Sequence, residues 1–155
     1  MIFNLRDHAL EQDDPRAARE GHAMRRVMLG RRAGAERTGF SVYELPPGQG
    51  GWAYHYELNR EEWLVVVSGE LVLRTPRGEE PLRVGDVRCF PVGPDGAHAV
   101  RNDSQEPARF AMPSSYPAHA YVAIRPDSNT AFIVGPGVRQ IVPLDESLGY
   151  WDREP

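Results

Sequence analysis

The chain has 155 residues, 22 of them acidic, and its 18 basic residues are all arginine, for a formal net charge of -4. Without lysine there is no Schiff-base chemistry and no phosphate-loop lysine, and with Cys89 as the single cysteine there is no intrachain disulfide and no cysteine-built zinc site. The acidic balance argues against a general nucleic-acid binder, and no apolar stretch approaches the eighteen residues of a membrane helix.

The length suits one domain with a real core. The start, Met1 to Asp7, has no positive segment followed by a long apolar run, so no secretory signal is expected and cytoplasmic residence is the default. Charge is uneven along the chain. Residues 1–37 carry eight arginines against six acids, residues 38–110 seven against eleven, and the remainder three against five.

In chain order, Asp14 before Pro15 reads as a helix cap with proline at the first helical position, so Asp14 to Arg26 is expected as a short helix or an extended arm. From Gly39 the pattern turns to strands. Phe40 to Leu45 is one, closed by Pro46-Pro47-Gly48. Trp52 to Leu58 alternates, Asn59-Arg60 breaks it, and Glu62 to Val67 is apolar and β-branched. Ser68-Gly69 and Pro76-Arg77-Gly78 are turns around a strand from Glu70 to Thr75. Leu82 to Val84 and Val87 to Phe90 flank Gly85-Asp86. Ala97 to Arg101, Ala108 to Met112, Ala120 to Ile124, Ala131 to Val134 and Arg139 to Val142 follow, with Arg125 to Asn129 a turn by composition. With 29 glycines and prolines as punctuation, about ten short strands at this spacing indicate an all-β sandwich or closed barrel.

His55, Glu57 and Glu62 form the first chemical cluster. Strand alternation puts His55 and Glu57 on one face of Trp52 to Leu58, with Trp52, Tyr54, Tyr56 and Leu58 on the other. An antiparallel pairing through Asn59-Arg60 is expected to bring Glu62 beside them. A histidine and two carboxylates converging inside a fold are costly unless their charge is compensated, and a divalent cation does so directly. A second cluster runs Gly85, Asp86, Pro91, Gly93, Gly96, His98 and Asn102. There His98, Val100 and Asn102 share a face, and His98 supplies a fourth group from a different strand.

On these residues the chain resembles the cupin superfamily. The first cupin motif is matched by His55-Tyr56-Glu57, Glu62 and Gly69. The second is matched by Gly85, Pro91, Gly93, His98 and Asn102. Glu57 stands where the family's second histidine belongs, Gln49 takes the place of a leading glycine, and two extra residues lie between Gly93 and His98. The run Phe90 to His98, Glu61-Glu62-Trp63 and Tyr150-Trp151-Asp152 resemble a group of uncharacterised bacterial single-domain cupins.

The resemblance implies a single jelly-roll (cupin) β-barrel over residues 38–143, with an N-terminal arm (1–37) and a C-terminal extension (144–155). It implies a metal site of His55, Glu57, Glu62 and His98, with Asn102 as a partner that orients an imidazole. Such a donor set suits Fe(II), Mn(II), Ni(II) or Zn(II). Glu62 or Glu57 is expected as carboxylate ligand or proton shuttle. The expected function is that of a metal-dependent enzyme of dioxygenase-like or isomerase-like type on a small polar molecule, or else of a non-catalytic small-molecule binding barrel. In the second case the site is dead and Glu57 pairs with an arginine such as Arg88 or Arg101. The partners expected are a small-molecule ligand and a second copy of the chain in a homodimer, with the arm's arginines on the partner's acidic barrel, and neither nucleic acid nor membrane.

The remaining features have plainer readings. Cys89 is expected as a small buried hydrophobe sharing a face with Val87, with a reactive thiol or a cysteine–tyrosine pairing the lesser reading. Trp52, Tyr54 and Tyr56 are expected to pack between sheets or across a dimer. His8, His22 and His119 are expected at the surface.

Overall fold

A computed structural model describes residues 2–10, 12–13, 19–115 and 120–145. The turn residues partition the chain into short strands: β1 (Gln12–Asp13), β2 (Arg25–Met28), β3 (Thr38–Leu45), β4 (Tyr56–Glu57), β5 (Glu62–Ser68), β6 (Leu71–Thr75), β7 (Gly78–Leu82), β8 (Val87–Phe90), β9 (Ala99–Arg101), β10 (Ala108–Ser115), β11 (Tyr121–Arg125), β12 (Thr130–Gly135) and β13 (Val138–Pro143). One helical turn, α1 (Leu29–Ala33), ends at Gly34 in the left-handed conformation. The expected helix or arm from Asp14 to Arg26 falls partly outside the described residues. Its last two residues begin strand β2, because Arg25 and Arg26 pair with Glu44 and Tyr43.

The strands form a six-stranded sheet in the order β1-β2-β3-β10-β5-β8, a four-stranded sheet β13-β12-β11-β4 and a three-stranded sheet β7-β6-β9. The all-β expectation holds. Backbone pairing does not close these sheets into one barrel among the described residues; isolated bridges join neighbouring segments instead, His55 to His98 and Gly50 to Arg101. The expected hairpin between Trp52–Leu58 and Glu62–Val67 is not formed. β4 pairs with β11, while β5 lies between β10 and β8. Asn59 accounts for this difference. Its amide donates to the Ala120 carbonyl and accepts from the Val122 N–H, which fastens the connection to the four-stranded sheet.

Alternation along the six-stranded sheet makes two apolar faces. Tyr43, Leu45, Leu64, Val66, Phe110 and Met112 face the inner core, while Val42, Val67 and Ala111 face the outer one. The outer cluster is covered by Phe3, Leu5 and Leu10 of the N-terminal segment. Arg109 secures that cover, donating to the carbonyls of Leu5 and His8 and pairing with Glu44 at 2.9 Å. The N-terminal region therefore lies on its own chain's sheet, through β2 and through these side chains. No helix of the described residues is long and apolar enough to cross a membrane.

Candidate metal centre

The site lies where the two sequence clusters meet. His55 and His98 exchange backbone hydrogen bonds, N to O in both directions at 3.1 and 2.8 Å. This bridge sets their rings side by side, with centroids 4.7 Å apart. Glu62 comes in from the start of β5, opposite Phe90 in β8. Phe90 in turn stacks on His98 at 3.7 Å and 10°. One row of the six-stranded sheet thus fixes both the carboxylate and the plane of one imidazole.

The loop before His98 depends on glycine. Gly93 has φ +91°, and a side chain at Gly96 would place its Cβ 1.9 Å from the Pro91 carbonyl oxygen. The tight path lets the Gly96 carbonyl accept from His98 Nδ1 at 2.9 Å, and the Ala53 carbonyl accepts from His55 Nδ1 at 2.8 Å. A carbonyl can only accept, so both rings carry their proton on Nδ1 and turn an Nε2 lone pair inward. Backbone carbonyls orient both ligands. Asn102, expected in that role, instead donates to the carbonyls of Leu45 and Glu106 and braces a loop. Both of its amide hydrogens are committed there.

His55 Nε2 lies 3.9 Å from Glu62 and 3.9 Å from Glu57, and His98 Nε2 lies 3.7 Å from Glu62. Ligand atoms of His55, Glu62 and His98 all lie within 4.8 Å of one another. Both imidazoles are held neutral. Burial and the neighbouring His98 push His55 down to about 3, against the pull of Glu62. Burial likewise lowers His98, with Glu62 and the Gly96 carbonyl opposing. Neutral imidazole is the form that binds a metal.

The cation nearest the carboxylates is Arg60. Its guanidinium bonds Glu57 and reaches Glu62 at 2.9 Å, and it stacks on Tyr121 at 4.4 Å. Burial opposes its charge, but Glu62 and Glu57 together hold its pKa above the ordinary value. The arginines expected opposite Glu57 are engaged elsewhere: Arg88 with Glu80, Arg101 with Glu79 and Asp103. Arg60 was legible only as a turn breaker. The signal that could have found it is its position between two carboxylates already expected to be buried.

A cavity of about 900 Å³ reaches His55, Glu57 and Arg60 from the side of β6 and β9. A second, of about 610 Å³, reaches His55, Glu62 and Arg60 from the side of β2, β3 and β10. Trp52 and Tyr121 line both. Trp52 sits edge-on to Tyr43 at 4.7 Å and to His55 at 6.4 Å, so it shares the side of His55 and not the opposite one. Strand alternation fails there because only Tyr56–Glu57 is strand. Tyr54 instead stacks on Arg74 at 4.0 Å.

Cys89 pairs across from Trp63 on the face away from Glu62, beside Val87, which is 56% exposed. The thiol is part-buried on this outer face, and the core burial expected of it is not seen. Burial and Glu61 push its pKa up, which works against a reactive thiolate. His8 and His22 are half-buried; His22 Nδ1 bonds the Gly51 carbonyl at 2.7 Å. His119 and the Tyr150-Trp151-Asp152 run lie outside the described residues.

The donor set fits a divalent cation. His98 Nε2 is buried and has no hydrogen-bond partner, although its lone pair points at Glu62 and His55. A positive ion between them satisfies that lone pair and offsets the carboxylate charge. Two histidines and one carboxylate leaving open positions is a donor set used by Fe(II), Mn(II) and Zn(II) centres.

Residues 41–113 match the family model described as Cupin domain. No curated protein matches the chain in sequence. A structure named as a sugar phosphate isomerase from a cupin superfamily, from Silicibacter pomeroyi, is 24% identical, covers 97% of this chain and 98% of its own, and superposes with a TM-score of 0.82. A predicted oxalate decarboxylase from Thermotoga maritima is 18% identical over 76% of this chain and 100% of its own, TM-score 0.61. A cupin protein from Bacteroides fragilis is 22% identical over 74% and 86%, TM-score 0.53. With both motifs in order and the side chains of His55, Glu62 and His98 converging on one point, residues 41–113 carry the cupin domain that the family model describes.

Proposed function

We propose that the protein is a metal-dependent cupin enzyme acting on a small polar molecule, with His55, Glu62 and His98 as the ligands. The observation that carries the reading is the buried, unpartnered Nε2 of His98, aimed at a second neutral imidazole and a carboxylate. When bound, a divalent ion supplies Lewis acidity to a coordinated oxygen of the substrate or of water. The chain's own part is to hold both imidazoles in one tautomer through Ala53 and Gly96, and to keep Glu62 in place through Arg60. Glu57 lies outside the three-residue group and is read as the support of Arg60. The strands are read as the two sheets of a jelly roll around this centre, in a chain that acts as a homodimer.

The test is metal analysis of untagged protein, followed by titration of the metal-free chain with Mn(II), Fe(II), Ni(II) and Zn(II). One equivalent per chain, lost in both His55→Ala and His98→Ala, is expected. Sub-stoichiometric uptake that neither substitution changes sinks the proposal and leaves a binding module without metal.

A further inference from the structure

Glu57 and Glu62 both stand beside His55, yet they present their oxygens differently. Glu62 divides its carboxylate. Its Oε1 accepts from Arg60 Nη2 at 2.9 Å, while its Oε2 lies 3.9 Å from His55 Nε2 and 3.7 Å from His98 Nε2. It can serve a guanidinium and a metal at once, through different oxygens. Glu57 has no such division. Its Oε1 is the oxygen 3.9 Å from His55 Nε2, and the same Oε1 accepts from Arg60 Nη2. The atom within reach of an ion beside His55 is therefore the atom that the guanidinium holds.

Arg60 is fixed from behind. Asn59 bonds the Ala120 carbonyl and the Val122 N–H, on either side of Tyr121, and the Tyr121 ring lies under the guanidinium at 4.4 Å. The pair with Glu57 is buried, with side-chain exposures of 16% for Arg60 and 3% for Glu57. Breaking a buried pair leaves an uncompensated charge, so Glu57 does not leave Arg60 without cost. Were Glu57 to move onto the ion, the guanidinium would keep Glu62 alone, and Glu62 is itself shared with the ion. A neutral imidazole at position 57 would meet a guanidinium more weakly than a carboxylate does.

We infer that Arg60 withholds Glu57 from the metal, so that the ion is held by three protein ligands, His55, Glu62 and His98, rather than by the four that the sequence motif implies. Arg60 is thus a positioning residue: it acts on the ion only through the carboxylates. The position that Glu57 would fill stays open to a substrate or to water. The inference fixes the number of protein ligands in the metal site proposed above and rests on that reading.

Titration of the metal-free protein with Co(II), followed by visible absorption, tests this without an assay of activity, because the absorption reports the number of ligands on the ion. Glu57→Gln is expected to leave the wild-type spectrum unchanged, since Glu57 is not on the ion. Arg60→Met releases Glu57, so the spectrum should change and Co(II) affinity should rise by about tenfold. Adding Glu57→Gln to that variant should restore the wild-type spectrum. Loss of a nearby cation by itself would tighten binding and leave the spectrum alone. Glu57→His keeps Arg60 and its other carboxylate in place, and should change the spectrum by adding an imidazole to the ion. A spectrum altered in Glu57→Gln overturns the inference. So does an unaltered one in Arg60→Met or, should that variant fail to fold, in Glu57→His. These outcomes leave the metal reading standing, whereas absence of any Co(II) uptake by the wild-type chain overturns that reading and this inference with it.

Discussion

The two walls of the site solve the cost of burial in opposite ways. The His98 wall is uncharged: an imidazole stacked on Phe90, fixed by the Gly96 carbonyl and held neutral by burial. The Glu57–Arg60–Glu62 wall keeps its charges and compensates them within the protein. The first wall leaves a lone pair without a partner and so asks for a cation. The second compensates its charges only in part: two carboxylates against one guanidinium leave a net charge of -1, which a cation also offsets. Both walls are thus suited to a metal ion.

The sharpest way to break this contrast is to remove the neutral wall. His98→Ala should weaken metal binding by about 100-fold or more, since even orienting partners of metal ligands are worth about 10- to 100-fold. Titration of the metal-free variant reads this directly, and undiminished affinity would refute the ligand assignment. Next is the charged wall. Glu57→Ala leaves Arg60 buried with one carboxylate and should cost about 3 kcal/mol of stability, read from the denaturation midpoint. Its metal stoichiometry should stay at one, whereas loss of metal would make Glu57 a fourth ligand.

A smaller effect is the pH dependence of the neutral wall. The folded pKa of His55 is about 3 against an ordinary 6.5, so between these values the unfolded chain binds the extra proton. The metal-free protein should therefore lose stability as pH falls from about 6.5 toward 3, and the loss should be shallower in His55→Asn. Parallel melting curves of the two proteins across that range would count against a neutral, buried His55. The smallest effect belongs to the exposed wall of the larger cavity. Arg74 and Asp127 form a bidentate pair at 2.6 and 2.8 Å, but both are largely exposed. Arg74→Ala should cost less than about 1 kcal/mol, and less again at high salt. A larger loss would mean that this pair, and not only packing, holds the β11–β12 turn against the three-stranded sheet.

Legibility followed the range of the interactions. The turns were read from glycine, proline and asparagine, and Asn129 does sit in the left-handed conformation after Arg125 to Ser128. Inward alternation in β5 was read correctly, with Glu62, Leu64 and Val66 all buried. His98, Val100 and Asn102 likewise share a buried face. The errors lie where local pattern gave way to a distant contact. Trp52 to His55 alternates like a strand but crosses a bend, which turns Trp52 into the site. Asn59 binds β11, sixty-odd residues away, and so removes the expected hairpin.

By itself, the sequence determined the chemistry available: no lysine, one cysteine, two histidines and two carboxylates in cupin register, and a run of short strands. Only the tertiary structure decided which of those groups meet. The reciprocal His55–His98 bridge joins residues 43 positions apart, and Arg60 finds both carboxylates because β4 and β5 enter different sheets on either side of it. Periodicity says which face a side chain takes along its own strand. It carries no information on which strand of another sheet will stand across from it, and the choice of Arg60 over Arg88 or Arg101 as the partner of Glu57 turned on that.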